Sequence, residues 1–329
     1  MVAKSMRAAM LKAQAGPFEI VEIARPAAGP GEVLVRIAAS GVNPLDLKIR
    51  AGAAAHARHP IPAILGMDLA GIVEEVGAGV DGFRPGDEVY GMTGGVGGIQ
   101  GSLADYAAVD ARLLALKPAN LSMREAAALP LAFITAWEGL VDRAHIQAGQ
   151  RVLVQGGAGG VGHIAVQIAK ALGADVYAVD GAAKAAFLER LGATAIDRDD
   201  SVEAYVERMT DGHGFDVVYD TVGGAVLDAS FEAVSRFGHV VSSLGWGTHA
   251  LAPLSFKAAS YSGVFALLPL LTGEGRAHHG DILREATRMA EAGKIRPNVD
   301  ARLFGLDAVG DAHDAIASRT AAGKIVVGE

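Results

Sequence analysis

Short apolar runs divided by glycine and proline dominate the first third of the chain. In residues 32–40, EVLVRIAAS, apolar and polar positions partly alternate between a GPG turn and Gly41, which is typical of a strand between turns. Similar runs occupy residues 71–76, 88–92, 103–109 and 113–116. The pattern predicts a strand-rich, barrel-like module.

A helical pattern begins at Ser122, where SMRE has the form of a capping box and opens an alanine-rich segment toward Leu140. Predicted strands and helices then alternate, which is the arrangement of a parallel, doubly wound sheet. These strands are predicted at residues 152–155, 175–179, 215–220 and 239–245. After Phe265 the pattern predicts helices at 281–292 and 308–318 and a last strand at 324–327, which look like a return to the first module.

A glycine turn joins the first strand of the alternating region to a helix, in the run RVLVQGGAGGVG at residues 151–162. Gly157, Gly159 and Gly162 fill the pattern G-x-G-x-x-G, which gives a tight turn, room for a pyrophosphate and close helix packing. The helix's first amides would hold the diphosphate. The predicted phosphate-binding residues are Gly157, Ala158, Gly159, Gly160, Val161 and Gly162.

An acidic residue stands where the ribose of a dinucleotide would be recognised. The strand predicted at 175–179 ends at Asp180, about 20 residues beyond the glycines, where a carboxylate can accept hydrogen bonds from both adenosine ribose hydroxyls. Strand, glycine turn, helix, strand and acid together predict an NAD(P)(H) site.

Composition narrows the class of protein. The 329 residues exceed the ~250 to 300 of a single core, so two domains are expected. No apolar run reaches the ~20 residues of a membrane helix, and the N-terminus has no signal-peptide core, so a soluble, cytoplasmic protein is expected. A net charge of −8 disfavours nucleic acid and favours a small-molecule partner.

Metal chemistry has little support in the sequence. The chain has no cysteine, which excludes disulfides and thiolate metal sites. Two histidine groups, His56 with His59 and the pair His278–His279, have no third ligand at suitable spacing. We interpret these histidines as surface residues and predict no metal site.

Several motifs carry a resemblance to a known family over nearly the whole chain. They are SGVNPLD at 40–46, LGMDLAG at 65–71, PGDEVY at 85–90, ITAW at 134–137, the glycine turn, and AGKIVV at 322–327. The chain resembles the medium-chain dehydrogenase/reductases, in particular the zinc-free quinone oxidoreductase branch similar to zeta-crystallin. The resemblance implies an α/β fold with a GroES-like β-barrel catalytic domain, residues 1–122 and 268–329, and a Rossmann domain, residues 123–267. It also implies a homodimer through the Rossmann sheet edge, with residues 262–267 as the edge strand.

The resemblance also implies chemistry without zinc. The zinc-dependent members bind a catalytic metal with two cysteines and a histidine, and Asn43, Met67 and Leu131 stand at or near those positions here. Without a Lewis acid, we expect NAD(P)H-dependent hydride transfer to acceptors that are already electrophilic, such as quinones or conjugated enones.

Residue roles follow from the same resemblance. Asn43 and Thr135 are expected to contact the nicotinamide half of the cofactor, and Asp46 to support the site, although Asp46 could equally satisfy local turn amides. Trp246, after a strand end, and Lys48 are expected in the acceptor pocket. The remaining expected cofactor-binding residues are Lys184, Thr221, Leu244, Phe265 and Lys324.

The choice of dinucleotide depends on residues near Asp180. Its carboxylate would repel a 2′-phosphate, and Gly181 follows where NADPH-using members of the branch have serine or threonine. Asp197 takes the place of the family's tyrosine, whereas Lys184 matches its phosphate-binding lysine. Together, Asp180, Gly181 and Asp197 outweigh Lys184 and favour NAD(H) over NADP(H).

Two other functions stay open. An enoyl-thioester or alkene reductase of the same fold must protonate carbon, and Lys48 stands where several quinone reductases carry tyrosine. A dinucleotide-binding protein without significant turnover is the alternative outside enzymes.

Overall fold

A computed structural model of the chain describes residues 5–328. By internal contacts the chain divides into two compact units, one from the residues up to Leu131 together with those from Leu267 onward, the other from Ala132–Ala266. The α/β fold class is confirmed. The functional domain boundaries expected after residues 122 and 267 stay predictions, and the contacts divide the chain after Leu131 and after Ala266.

The strands are β1 (Ser5–Leu11), β2 (Phe18–Ala24), β3 (Glu32–Val42), β4 (Ala63–Ile64), β5 (Asp68–Val76), β6 (Glu88–Met92), β7 (Tyr106–Asp110), β8 (Leu114–Leu116), β9 (Arg151–Gln155), β10 (Asp175–Asp180), β11 (Thr194–Asp197), β12 (Phe215–Asp220), β13 (Val234–Ser242), β14 (Ser260–Gly263) and β15 (Ile325–Gly328). The α-helices are α1 (Pro44–Arg50), α2 (Met123–Ala127), α3 (Pro130–Trp137), α4 (Gly162–Ala171), α5 (Ala185–Arg190), α6 (Val202–Thr210), α7 (Ala225–Ala233), α8 (Ala252–Lys257), α9 (Leu268–Thr272), α10 (Arg276–Glu291) and α11 (Val309–Ala317).

The first unit is built on antiparallel sheets. One has the order β15-β3-β5-β6-β8, with β7 also paired to β3, and a smaller one has the order β2-β1-β4. The late strand β15 pairs antiparallel with β3, Ile325 opposite Val42, so the two chain segments of this unit share one sheet. Apolar side chains of β3, β5, β6 and β7 form a buried core between the strands.

The second unit is a parallel, doubly wound sheet, as the alternating pattern predicts. Its strand order is β11-β10-β9-β12-β13-β14, with β9 and β12 in the middle and fully buried apolar residues along β9. The edge strand β14 covers residues 260–263, earlier than the 262–267 expected. Strand β13 ends at Ser242, and the Leu244 amide then bonds to the Ser242 hydroxyl instead of to a neighbouring strand.

The helical segment after Ser122 is not continuous. The capping box is present: the Glu125 amide donates to the Ser122 hydroxyl at 3.2 Å, and the Ser122 amide donates to the Glu125 carboxylate at 3.0 Å. Helix α2 ends at Ala127, α3 starts anew at Pro130, and a π-helical segment follows at Glu138–Arg143. By contact, α2 belongs to the first unit, where it packs on β3 and β5.

One histidine prediction is wrong. His279 is buried, although His278 is exposed. Helix α10 begins at Arg276, five residues before the predicted start, and buries Ile282 and Leu283 on its inner face. His279 lies one turn before these residues and therefore on the same face. Within residues 5–328, no helix combines the length and apolar character needed to cross a membrane.

Candidate dinucleotide site and buried charge cluster

The glycines of the turn after β9 are needed for close packing. A Cβ atom at Gly157 would lie 2.7 Å from the Cβ of Ala178 in β10. One at Gly162 would overlap the carbonyl oxygen of Gly156, so α4 approaches β9 only with glycine at this point. Gly159 differs, because its Cβ would meet only the Gly156 oxygen, at 3.1 Å, and would otherwise point into open space. The three glycines therefore have the geometry that a dinucleotide turn requires.

Amide groups at this turn are available for an anion. The Gly159 amide bonds to the Gly156 carbonyl at 3.0 Å. In the described part of the chain, the amides of Gly160 and Val161 have no backbone partner, and α4 begins at the next residue. Such amides at the start of a ten-residue helix suit a pyrophosphate. These residues fit the phosphates of NAD(P)(H).

Asp180 ends β10 beside the turn. Its carboxylate accepts the Ala158 amide at 2.9 Å and the Gly181 amide at 2.8 Å. Each oxygen keeps further lone pairs, so the carboxylate can still accept ribose hydroxyls. The structure thus brings Asp180 to the glycine turn, and its contact with a ribose stays a prediction.

Residues at the carboxyl ends of β12 and β13 lie on the other side of the turn. The Thr221 hydroxyl donates to the Gln155 carbonyl at 2.7 Å. Sequence reasoning missed Asp220, which is buried and accepts the Gly223 amide and, at 2.6 Å, the Ser242 hydroxyl. Leu244 follows, with its amide bonded to the Ser242 hydroxyl at 3.0 Å. An acid that ends a buried strand before a Gly-Gly pair is a signal that could have found Asp220.

Four other expected residues lie in the second unit. Thr135 is nearly buried in α3, and its carbonyl accepts the Tyr219 hydroxyl at 2.8 Å. Trp246 and Phe265 meet edge to face with ring centroids 6.0 Å apart, and Trp246 is 52% exposed. Lys184 is exposed in a short 3₁₀ turn after β10. The structure therefore pairs Trp246 with Phe265.

A buried charge cluster occupies the first unit. The Asn43 side-chain Nδ2 donates to the Asp68 carboxylate at 2.9 Å, and the Lys324 ammonium donates to the Asn43 side-chain oxygen. The second oxygen of Asp68 accepts the Leu131 amide at 2.9 Å. Asn43 and Leu131, two of the three positions that resemble zinc ligands, thus converge on Asp68. Sequence reasoning did not single out Asp68, although it lies inside the motif LGMDLAG.

Burial changes the protonation of this cluster. It raises the pKa of Asp68 to about 6, against the opposing effect of Lys324. It raises the pKa of Asp46 to about 7, although the backbone amide of Asn43 donates to that carboxylate at 2.8 Å. Burial lowers the pKa of Lys324. Asp46 therefore satisfies a local turn amide, which is the alternative role considered for it, while Lys48 is exposed on α1.

The cluster does not fit a zinc ion. Asn43 offers an amide oxygen, but that oxygen already accepts the Lys324 ammonium, which repels a cation. Met67 and Leu131 supply a thioether and an alkyl side chain, which zinc sites do not use. Among the residues described, no group of three or more histidines and carboxylates could hold a metal.

Comparisons with known proteins agree on the type of chain. Residues 29–119 match the alcohol dehydrogenase GroES-like domain, and residues 191–327 match the zinc-binding dehydrogenase domain. A 2-methylene-furan-3-one reductase of Solanum lycopersicum is 37% identical over 313 residues, covering 93% of this chain and 74% of that protein. A chloroplastic NADPH-dependent alkenal/one oxidoreductase of Arabidopsis thaliana is 35% identical and covers 90% of this chain and 72% of that protein.

A solved structure is closer in sequence. An alcohol dehydrogenase superfamily protein from Novosphingobium aromaticivorans is 59% identical, with a TM-score of 0.97, over 98% of this chain and 99% of that one.

Proposed function

Because the chain belongs to the medium-chain dehydrogenase/reductase superfamily, we propose that it is an NAD(P)H-dependent reductase of double bonds conjugated to a carbonyl. The observation that carries the proposal is the Lys324–Asn43–Asp68 network, in which Asn43 stands at a position that resembles a zinc ligand of the zinc-dependent members. The relatives named for enone and alkenal reduction support the substrate class.

The lack of zinc-ligating side chains at Asn43, Met67 and Leu131 limits which compounds the chain can reduce. A simple alcohol or ketone needs its oxygen polarised, and residues 5–328 offer no metal-binding group to do so. A conjugated enone, alkenal or quinone is electrophilic by itself, and bound NAD(P)H would supply the hydride. Asn43, Thr135 and Asp46 are proposed to position the reacting groups through hydrogen bonds, and Lys48 and Trp246 to contact the acceptor.

Quinones remain within the proposed substrate class. A quinone is a doubly conjugated enone, so one site of this chemistry can take both. The two curated relatives, a furanone reductase and an alkenal/one oxidoreductase, favour alkenals and furanones over quinones. We therefore rank alkenals and enones ahead of quinones.

The dinucleotide site supports NADH as one reductant. Asp180 lies beside the glycine turn with lone pairs left for ribose hydroxyls, as the sequence predicts. The glycine-turn residues 157–162 would hold the pyrophosphate. Thr221, Leu244 and Phe265 are proposed to line the nicotinamide side, and Lys324 to act through Asn43.

A panel of acceptors tests the function. NADH and NADPH oxidation would be followed with an alkenal, a cyclic enone, a quinone and a 2-enoyl thioester. We expect the highest kcat/KM with an alkenal or enone. Tight dinucleotide binding without turnover on any acceptor would instead favour a binding protein, and the highest kcat/KM with the thioester would favour an enoyl-thioester reductase.

We also propose a homodimer that forms through the edge strand β14. This strand is the last in the sheet order, so its outer edge can pair with a second copy. Light scattering that gives a monomer mass at micromolar concentration would contradict this.

A further inference from the structure

His249 joins the loop after β13 to helix α7. The loop, residues 243–251, carries Trp246, and the Nε2 of His249 lies 3.3 Å from the Trp246 carbonyl oxygen. The Nδ1 of the same ring lies 2.7 Å from the Asp228 carboxylate on α7. Only 12% of the His249 side chain is exposed, so water competes little for these two contacts.

Both partners of the ring are hydrogen-bond acceptors. An ionised carboxylate and a main-chain carbonyl have no proton to donate, so each ring nitrogen must be the donor. A neutral imidazole carries one N–H and satisfies only one of the two partners, whereas the imidazolium satisfies both. The geometry therefore fits a positively charged His249.

The surroundings of His249 favour the same state. The hydrogen bond to Asp228, followed by the one to the Trp246 carbonyl, raises the pKa of His249 above its ordinary value. The charge of Asp220, at the end of β12, acts in the same direction. Acidic groups thus surround the ring on the side of α7 and β12.

The other titratable groups of the neighbouring elements are Glu232 on α7, Lys257 on α8 and Tyr261 on β14. Glu232 is exposed one turn beyond Asp228. The Lys257 ammonium donates to main-chain carbonyls at the end of α7, and burial raises the pKa of Tyr261, which keeps it neutral. None of these groups supplies a second donor to the two partners of His249.

Gly247 makes the turn that brings His249 back to Trp246. Its φ of +113° is one that side chains rarely adopt, and a Cβ there would lie 3.7 Å from the His249 Nε2. The His249 ring also meets Phe231 of α7 edge to face, with centroids 6.2 Å apart. Trp246 in turn meets Phe265. The carbonyl contact therefore holds the residue that carries this indole ring.

We propose that doubly protonated His249 is a positioning residue that holds the loop of Trp246 on α7, and that loss of one proton releases the loop. The remaining proton serves the shorter contact, to Asp228, so the Trp246 carbonyl loses its donor. An effect on acceptor binding rests on the proposed function, in which Trp246 contacts the acceptor.

Fluorescence of Trp246 tests the release without any ligand. The chain has two tryptophans, and Trp137→Phe leaves Trp246 as the only one while an aromatic ring stays stacked on Phe133. Quenching by acrylamide, which is neutral, would be measured in this chain from about pH 5 to about pH 9. Trp246 is 52% exposed when held, so release should raise the quenching constant about twofold, with a midpoint above pH 6.5.

Two variants on the Trp137→Phe background should give opposite, constant levels. His249→Phe keeps a ring against Phe231 but has no donor, so its quenching constant should stay high at every pH. Asp228→Asn supplies an amide that can donate to Nδ1, so a neutral His249 still donates to the Trp246 carbonyl and quenching should stay low at every pH. A simple ion pair predicts the reverse for Asp228→Asn, because loss of the carboxylate would free the loop.

The matched control is His213→Phe, which replaces an exposed histidine of the same unit. It should keep the pH profile of the Trp137→Phe chain. A quenching constant independent of pH in the Trp137→Phe chain, high quenching at high pH in Asp228→Asn, or a flat profile in His213→Phe would overturn the role of His249.

Kinetics separate this inference from the proposed function. If Trp246 contacts the acceptor, the KM for an enone should rise at least about twofold with pH in the unmodified chain and stay level in Asp228→Asn. Equal KM profiles together with the expected quenching would overturn the acceptor contact of Trp246 and support the role of His249. A chain that reduces no acceptor but shows the expected quenching would overturn the proposed function alone.

Discussion

Asn43 links the buried charges of the first unit, because its amide group bonds to Asp68 on one side and to Lys324 on the other. A buried carboxylate and a buried ammonium are each costly without a partner. With Asn43 between them, both are hydrogen bonded. Asn43, which stands at a position that resembles a zinc ligand, therefore has a structural role that does not depend on any cofactor.

Asp46 should make the stability of the protein depend on pH. Burial raises its pKa to about 7 in the folded state, above the ~3.9 of an exposed aspartate. Between those values the folded state binds more protons than the unfolded state, so the free energy of unfolding falls as pH rises and levels off above pH 7. Asp46→Asn removes this titration. Urea unfolding should show the variant gaining at least ~1 kcal/mol relative to the unmodified chain between pH 5 and pH 8.

The matched control is Asp87→Asn, a partly exposed acid of the same unit that accepts the Arg84 amide. Its free energy of unfolding should follow the pH profile of the unmodified chain in shape. Parallel pH profiles for Asp46→Asn and the unmodified chain would show that Asp46 titrates normally.

At the scale of elements, two glycines of the turn between β9 and α4 have different roles, one in packing and one in ligand binding. Gly162→Ala places a methyl group against the Gly156 carbonyl and should destabilise the fold by about 1–3 kcal/mol. Gly159→Ala meets only one atom at 3.1 Å and points where a pyrophosphate would approach. It should keep the melting temperature within a few degrees and weaken NADH binding at least about tenfold. Thermal melts and titration of NADH fluorescence measure both effects, and the reverse assignment would contradict these roles of the two glycines.

The capping box at α2 offers a second element-scale prediction. The Ser122 hydroxyl accepts the Glu125 amide at the start of α2. Ser122→Ala should lower the free energy of unfolding by about 1 kcal/mol, measured by urea denaturation. Ser122→Asp keeps an acceptor and serves as the control, and an equal loss in both variants would argue against a capping role.

Elements with strong local signals could be predicted from the sequence. Strand periodicity and turn glycines predicted most strands of both units, and the pattern G-x-G-x-x-G predicted the turn at residues 157–162. The division between α2 and α3 was missed because the alanine-rich pattern continues across it, and the burial of His279 depends on the packing of α10. These features depend on neighbours that are distant in the chain.

In the candidate site, too, only residues with a local signal could be predicted from the sequence. Asp180 was found because its distance from the glycines is set by local geometry. Asp68 was missed, since its role appears only when β5 lies near Lys324. Hydrogen bonds between distant segments leave no periodic pattern in a single sequence.

For the whole molecule, the family and the combination of a GroES-like domain with a Rossmann domain are confirmed. Residues 191–327 match a zinc-binding dehydrogenase family, but the side chains at the positions that resemble zinc ligands do not suit zinc. We expect that prolonged dialysis against EDTA leaves kcat with an enone unchanged. Elemental analysis should find zinc far below one atom per chain, and activity that returns only on adding zinc would contradict the metal-free proposal.

The most direct test of the central claim follows the hydrogen that is transferred. The EDTA-treated enzyme would reduce an enone with NADH or NADPH deuterated at both C4 positions, and NMR would locate deuterium in the product. Metal-free conjugate reduction predicts a saturated ketone with one deuterium on the β-carbon and a hydrogen from water on the α-carbon. Deuterium on the carbonyl carbon, giving an allylic alcohol, or no deuterated product at all would contradict it.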